Sequence, residues 1–369
     1  MIKNSRILIC PIDWGLGHSS RDVYLINRLL ERNYEMFIGG EGDSLKFLQN
    51  EFPDLTFIYL PSFQIRFSNK YPAWLMITLF LPQIFTWIYR EKKILHKVIR
   101  EYEIDLVISD TRYGLRSSLI PSVIITHQIS FKLPLLLKSL QHLVYRINLA
   151  AINRFSQCWI PDFPGIPNLS GDLSHKYKLP GNALYIGPLS RFNIDNNNHV
   201  SKEEFDVAVI LSGPEPQRTI FEKIVIAQLI HNNIKSIIIC GKPGENIPEN
   251  HTATCKRISC LQGYELLSVL KSSKYIICRS GYSTIMDLVT LKKTALLVPT
   301  PGQTEQEYLA RYLEKHNLFL YSKQKDFNIE NAMIRLDKFM PDMTFGERYD
   351  LLDKAIQGLP LLIKKSCRG

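Results

Sequence analysis

Short apolar runs alternate along this chain with longer segments whose apolar residues recur every three or four positions. Runs at Arg6–Ile12, Met36–Gly39, Leu55–Leu60, Asp105–Ser109, Ser122–Thr126 and Cys158–Pro161 predict strands. The spacing over Ser20–Arg32, Ala73–Glu101 and Leu133–Asn153 predicts helices, the second of them bent or broken near Pro82. A polar stretch follows, Pro164–Asp172 and then Asn193-Ile-Asp-Asn-Asn-Asn-His199, the second part reading as a linker. Beyond it the pattern restarts. Strands are predicted at Phe205–Leu211, Ser236–Cys240, Tyr275–Cys278, Ala295–Pro299 and Phe319–Tyr321. Helices are predicted at Thr219–His231, Glu265–Lys271, Ser283–Leu291 and Glu305–His316, with a last one near Gly346–Leu362.

Strands alternating with helices at this spacing give βαβ units and parallel sheets. The expected fold is α/β, two tandem Rossmann-like doubly wound domains with an interdomain cleft. The expected boundaries are residues 1–190, a hinge over 191–202, and residues 203–369, with the last helix free to cross back. Ligands of such sheets bind beyond the carboxyl ends of the strands. The informative loops are therefore those that follow strands.

Composition adds two constraints. The chain has 369 residues, 45% of them hydrophobic, enough for a core in each half, and a formal charge of +10. A basic balance suits nucleic acid, an anionic membrane or a phosphorylated ligand. No basic tract with interleaved aromatics and no zinc-finger or RNA-binding signature occurs, so nucleic acid is not an expected partner. The seven cysteines, Cys10, Cys158, Cys240, Cys255, Cys260, Cys278 and Cys367, form no C-x-x-C pair, and the amino terminus runs directly into a strand. Reduced thiols in a cytoplasmic protein are expected. Tyr71–Tyr89 is the longest apolar stretch, interrupted by Pro82 and followed by Arg90, Lys92 and Lys93. It reads as a buried or half-exposed helix, or as a surface (Tyr71–Lys93) that rests on the anionic inner face of the cytoplasmic membrane.

Four loops carry candidate chemistry. After the first strand comes Asp13-Trp-Gly-Leu-Gly-His-Ser-Ser-Arg21. Gly15 and Gly17 allow a tight turn, Ser19 or Ser20 suits a helix cap, and His18 is a candidate general base. The loop lacks the third glycine of a dinucleotide fingerprint, so NAD is not expected. Asp110 ends another strand. It is a second candidate base or a substrate-orienting carboxylate, and an ion pair with Arg112 or Arg116 is its competing structural role. His127, after the next strand, reads as a structural histidine. Ser212 and Gly213 offer main-chain N–H groups to a diphosphate, and Arg218 could add charge. The fourth loop is Arg279-Ser280-Gly281, which opens a helix carrying Asp287 about two turns in. A helix start holds phosphate and a carboxylate accepts from ribose. The next strand leads to Gln303, Glu305, Gln306 and Glu307. Arg191, just before the linker, is placed for phosphate oxygens. No metal-binding motif is present, and neither a catalytic metal nor another cofactor is expected.

Together these residues resemble the family 28 glycosyltransferases, whose two-Rossmann architecture is called GT-B. In layout the resemblance spans the chain, and in sequence it is strongest over Tyr275–Leu309. It implies a metal-independent inverting glycosyltransferase. The donor would be a UDP-sugar such as UDP-N-acetylglucosamine, and the acceptor a cell-envelope glycan or a lipid-linked saccharide. Gly15, Gly17 and His18 resemble the acceptor-domain loop and its base, and Arg191 the diphosphate-contacting arginine. Ser212 and Gly213 resemble part of the second phosphate loop, and Ser280 and Gly281 the helix start under the phosphates. Asp287 stands where the family carries a ribose-binding glutamate. Gln306 and Glu307 stand where it often carries two glutamines near the donor sugar. Departures are Pro214-Glu215-Pro216 in place of a glycine-rich run, and Glu307 in place of glutamine. Two other readings remain open. One is a UDP-sugar hydrolase of the nonulosonic acid synthesis type. The other is a non-catalytic nucleotide-sugar-binding subunit of a membrane glycosyltransferase complex.

Overall fold

A computed structural model describes residues 5–63, 73–192, 204–242, 252–261, 263–345 and 350–366. The linker expected around residues 193–202 and Cys367 lie outside them. So do Tyr71 in the apolar stretch and Gly346 in the last expected helix. The chain divides into two compact units. Of the described residues, one contains those up to Arg191 except Ala73 and those from Phe345 onward, and the other contains Ala73 and Phe192–Thr344. The carboxyl-terminal helices, which follow the second domain in sequence, thus belong to the first unit.

The first unit opens with β1 (Arg6–Pro11), α1 (Leu16–Leu30), β2 (Glu35–Gly40), α2 (Gly42–Glu51) and β3 (Thr56–Tyr59). Next come α3 (Ala73–Tyr102), β4 (Leu106–Asp110), β5 (Ser122–Ile125), α4 (Gln141–Ile152), β6 (Gln157–Ile160), α5 (Asp172–His175) and β7 (Ala183–Tyr185). Its seven strands are all parallel, in the order β3-β2-β1-β4-β5-β6-β7. The middles of the central strands are apolar because helices cover both faces. Ile7, Leu8, Ile9, Leu106, Val107 and Ile108 are all fully buried.

The second unit contains β8 (Phe205–Ile210), α6 (Gln217–His231), β9 (Ser236–Ile239), β10 (Cys255–Ile258), α7 (Gly263–Ser272) and β11 (Ser273–Cys278). It continues with α8 (Tyr282–Thr290), β12 (Leu296–Leu297), α9 (Thr304–Lys315), β13 (Leu320–Tyr321) and α10 (Ile329–Lys338). Its parallel order is β10-β9-β8-β11-β12-β13. Phe221, Val225 and Leu229 of α6 pack on Val207, Val209 and Ile238, with Phe327, Ile329 and Leu336 closing the same core.

Several expectations change. The helix expected from Ser20 begins at Leu16. The break expected near Pro82 is absent, for α3 runs unbroken over 30 residues. Its carboxyl-terminal half, with Leu95, Val98 and Ile99, is buried in the core. Packing there holds the helix although Pro82 removes one backbone donor. The single helix expected over Leu133–Asn153 is a 3-10 turn at Leu135–Leu140 followed by α4. Helix α2, strands β7 and β10 and helix α10 were not anticipated. They are short or half-polar, so their periodicity is weak. All six cysteines among the described residues are free, and burial pushes the thiols of Cys10, Cys158 and Cys278 up to about 12. Among the described residues no helix is long and apolar enough to cross a membrane.

The chain ends with α11 (Leu351–Gln357) and α12 (Leu359–Ser366). Asp353 of α11 receives Arg28 at 2.6 Å and Arg32 at 2.9 Å, both on α1, and Phe345 stacks on Phe163 at 4.7 Å. Asp353→Ala leaves two arginines without their shared acceptor. Its expected effect is a melting temperature lower by about 2–4 °C, with faster proteolysis after Phe345. An unchanged melt and digest would mean that apolar packing alone holds this tail.

Candidate active site

Each parallel sheet is wound outward in both directions from one central pair of strands, β1/β4 in the first unit and β8/β11 in the second. The connections leaving such a pair go to opposite faces, which opens a crevice at the carboxyl ends of the two strands. The loops that carry Gly15–His18, Asp110, Ser212–Gly213 and Arg279–Gly281 follow these four strands.

In the first crevice, Gly15 caps α1 with φ of 98°, a backbone conformation that side chains other than glycine seldom adopt. Ser19 and Ser20 do not cap the helix. They lie inside it and donate to the Leu16 and Gly17 carbonyls at 3.1 Å. Gly17 lies exposed in the first turn. The early start puts His18 in that turn, with Arg21 and Asp22 three and four residues later on the same face. All three face Asp110, the last residue of β4.

Asp110 is completely buried. One oxygen accepts from Arg21 Nε at 2.8 Å and lies 3.0 Å from His18 Nδ1. The other accepts from Arg21 Nη2 and from Thr111 Oγ1, the latter at 2.9 Å. Thr111 holds φ of 62°, an unusual value for a β-branched residue, directly beside this carboxylate. The pairing of Asp110 with Arg112 or Arg116 is thus corrected: its partner is Arg21. Arg112 binds Glu91 at 2.8 Å, and that buried pair supports the loop after β4. Burial by itself would raise the Asp110 carboxyl, but Arg21 and His18 outweigh it and hold the group well below the ordinary carboxylate range. Burial lowers His18 below its ordinary value. Arg21 adds to that and Asp110 opposes it.

This arrangement fixes a tautomer. An ionised carboxylate only accepts, so the proton of a neutral His18 lies on Nδ1 and the lone pair on Nε2. The His18 side chain keeps 21% of its surface exposed. It is therefore an oriented, partly accessible base. Asp110, closed off by Arg21, is suited to hold the ring and not to meet a substrate itself. His127 is also buried near His18, at 7% exposure.

Sequence reasoning missed Arg21 and Asp22, although their spacing from His18 was visible. Asp22 is fully buried, and among the described residues neither of its oxygens has a hydrogen-bond partner. Burial and then Asp110 raise its pKa well above the ordinary value, with Arg21 opposing. This environment favours its neutral form over the carboxylate.

In the second crevice, Ser212 and Gly213 follow β8. Gly213 has φ of +93°, and a Cβ there would stand 3.2 Å from Thr300 Oγ1. Thr300 lies beyond β12, so the two loops touch. Arg218 binds Glu215 at 2.8 Å and the Gly241 carbonyl, which occupies the charge expected for phosphate. Ser280 is buried and donates to the Gln306 carbonyl at 2.8 Å, and Gly281 caps α8. The Gln306 side chain accepts from Thr300 N at 2.9 Å, and Glu307 accepts from Gly302 N at 3.1 Å. Both therefore shape the loop before α9, whose cap is Gln303. Asp287 lies on α8 at 5% exposure. Arg279 is wholly buried, with its guanidinium bonded to main-chain carbonyls. Arg191 belongs to the other unit, half-buried after β7.

Residues 214–345 match the model of the glycosyltransferase family 28 C-terminal domain. An uncharacterized glycosyltransferase of Methanosarcina acetivorans is 25% identical over 329 residues, covering 84% of this chain and 83% of the relative. A UDP-N-acetylglucosamine–N-acetylmuramyl-(pentapeptide) pyrophosphoryl-undecaprenol N-acetylglucosamine transferase of Clostridium botulinum is 25% identical over 162 residues. That alignment covers 38% of this chain and 43% of the relative. Among solved structures, the calicheamicin glycosyltransferase CalG4 aligns with a TM-score of 0.65 at 12% identity, covering 98% of this chain and 99% of that one. The glycosyltransferase SnogD of Streptomyces nogalater aligns at 0.62 and 14% identity, covering 98% and 100%. The fold they share with this chain is GT-B.

The upward shift of the Asp22 carboxyl sets a pH test. A group whose pKa is raised on folding contributes stability below its unfolded value, and that contribution is lost as pH rises through the folded value. Asp22→Asn, which cannot ionise, should therefore melt higher than the parent by at least about 2 °C at pH 9, with the gap closing toward pH 5. A pH-independent difference in scanning fluorimetry would refute the neutral-acid assignment.

Proposed function

We propose that this chain, a glycosyltransferase of the family 28 type with the GT-B fold, transfers a sugar from a UDP-sugar with inversion and without a metal. UDP-N-acetylglucosamine is the favoured donor, and the favoured acceptor is a hydroxyl of a cell-envelope glycan or glycolipid. The Clostridium botulinum relative is named for this donor and for an N-acetylmuramyl-(pentapeptide) pyrophosphoryl-undecaprenol acceptor. The observation that carries the catalytic reading is the 3.0 Å approach of His18 Nδ1 to a buried, arginine-held Asp110.

In this mechanism His18 Nε2 takes the proton of the acceptor hydroxyl as its oxygen attacks C1 of the sugar. The bond from C1 to the β-phosphate oxygen breaks, its electron pair stays on that oxygen, and UDP departs. Attack opposite the leaving group inverts C1. The imidazolium that forms is stabilised by Asp110, while Arg21 keeps Asp110 ionised and in place. On the donor side, the main-chain N–H groups of Ser212 and Gly213 and the start of α8 at Ser280–Gly281 receive the charge that grows on the diphosphate. Arg191 adds a cation. Asp287 serves the ribose hydroxyls, and Gln303, Gln306 and Glu307 form the loop beside the sugar. Donor groups that bind better as charge grows lower the barrier and not merely KM.

The membrane reading has its own support. Phe85 and Tyr89 of α3 are 62% and 61% exposed, and Lys93 lies over the Tyr89 ring at 4.8 Å. We assign this face to the anionic surface beside a lipid-linked acceptor. The protein would act at the inner face of the cytoplasmic membrane.

His18→Ala should lower turnover of UDP-N-acetylglucosamine by about 10²–10⁴, and Asp110→Asn by a comparable factor, with little change in UDP affinity. UDP release in the presence of a lipid-linked saccharide measures this. Full turnover in both variants would remove the dyad. Turnover as fast with water as with any acceptor would favour a UDP-sugar hydrolase, and tight UDP binding without turnover a non-catalytic subunit. Because His18 titrates low, the acidic limb of kcat/KM should have its midpoint below about 6.5, the ordinary histidine value. A midpoint above that value would contradict the environment described for the ring.

A further inference from the structure

Arg279 has an unusual environment for a guanidinium. It is completely buried at the carboxyl end of β11, one residue before Ser280. Nη1 donates to the carbonyls of Val298 at 3.1 Å and Pro299 at 3.2 Å, and Nη2 to the Gln217 carbonyl at 2.8 Å and to Gln324 Oε1 at 2.7 Å. The carbon of the guanidinium lies 4.4 Å from the centre of the Phe221 ring. Nε is buried and has no partner. Every one of these acceptors is neutral. Among the described residues no carboxylate acts on Arg279, and burial alone lowers its pKa to about 10.

These bonds join the parts of the second crevice. Gln217 opens α6 after the Ser212–Gly213 loop. Val298 and Pro299 lead into Thr300 and the Gln306 loop, and Gln324 donates onward to the Gln217 side chain at 3.1 Å. Arg279 thus ties the loops after β8, β11 and β12 to one another. A neutral hydrogen-bonding side chain could make such ties without the cost of burying a charge that no counter-charge meets. The positive end of α8 begins two residues further on, so two positive sources converge on the same crevice.

We propose that Arg279 is a positioning residue whose uncompensated buried charge is the electrostatic counterpart of the diphosphate bound in this crevice. It acts on the ligand through its field and through the loops it joins, without contact. This rests on the donor reading above in naming the anion, a nucleoside diphosphate, but the charge requirement itself can be tested apart from that reading. Its bonds are those of a planar fork, so lysine retains the charge and loses most of the ties, whereas methionine loses both.

The test is calorimetric titration of the full chain and its Arg279→Lys and Arg279→Met variants with UDP, uridine and inorganic pyrophosphate, at low and at moderate salt. Arg279→Met should weaken UDP and pyrophosphate by about tenfold or more and uridine by less than about threefold, with the loss shrinking as salt rises. Arg279→Lys should keep UDP affinity within about threefold. Should the methionine variant fail to fold by circular dichroism, the lysine variant decides: retained UDP affinity supports the role of charge. Equal losses of UDP and uridine in either variant would reduce Arg279 to a structural tie and overturn the proposal. A parent protein that binds no pyrophosphate would overturn it as well. Pyrophosphate binding that depends on Arg279, without any preference for UDP over pyrophosphate, would uphold the charge and remove the donor reading instead.

Discussion

The winding of the two parallel sheets governs the rest of this structure. A parallel strand must be followed by a crossover, and crossovers of one hand go to opposite faces when the chain moves left or right along the sheet. Where the direction reverses, two neighbouring strands send their connections apart, and a gap remains that no side chain of the sheet can fill. In the first unit the gap lies between β1 and β4, and in the second between β8 and β11. Four polar loops meet in pairs there, although residues 18 and 110 are 92 positions apart in sequence.

The two crevices solve the problem of a buried polar group differently. In the first, charge is balanced inside the protein. Arg21 closes on Asp110 and His18 leans on the same carboxylate, while burial and Asp110 together push the second acid, Asp22, toward its neutral form against the opposing pull of Arg21. Such a cluster orients a base and is largely closed to anions. In the second, a guanidinium stands among carbonyls, and among the described residues no carboxylate acts on it. An uncompensated cation of this kind favours a nearby anion. One crevice is thus suited to moving a proton and the other to holding phosphate. That division of labour matches the transfer reaction proposed for a GT-B glycosyltransferase.

Much of this was legible along the chain. The apolar runs within β1, β4, β8 and β11 stand out because both faces of the sheets are covered, and the glycines and polar residues that follow them announce turns. Elements with mixed or short patterns, such as α2, β7, β10 and α10, were not legible. Their burial is one-sided, and partners distant in sequence decide it. The helix start at Leu16 was misread for a related reason. Ser19 and Ser20 have the chemistry of caps, but their hydroxyls bond back within the first turn, and the turn at Gly15 sets the boundary.

Sequence by itself determined the α/β class, the restart of the pattern after residue 200, and the loops that carry His18, Asp110, Ser212–Gly213 and Ser280–Gly281. Those features depend on local periodicity and on residue types that tolerate turns. Only the tertiary structure decided which charges meet. It gave Asp110 to Arg21 and not to Arg112, left Asp22 without a partner, placed Arg279 beyond the reach of any described carboxylate, and turned Gln306 and Glu307 onto the backbone of their own loop. Electrostatic energy depends on distance in space and on exclusion of water, and neither is written in the spacing of residues along a chain.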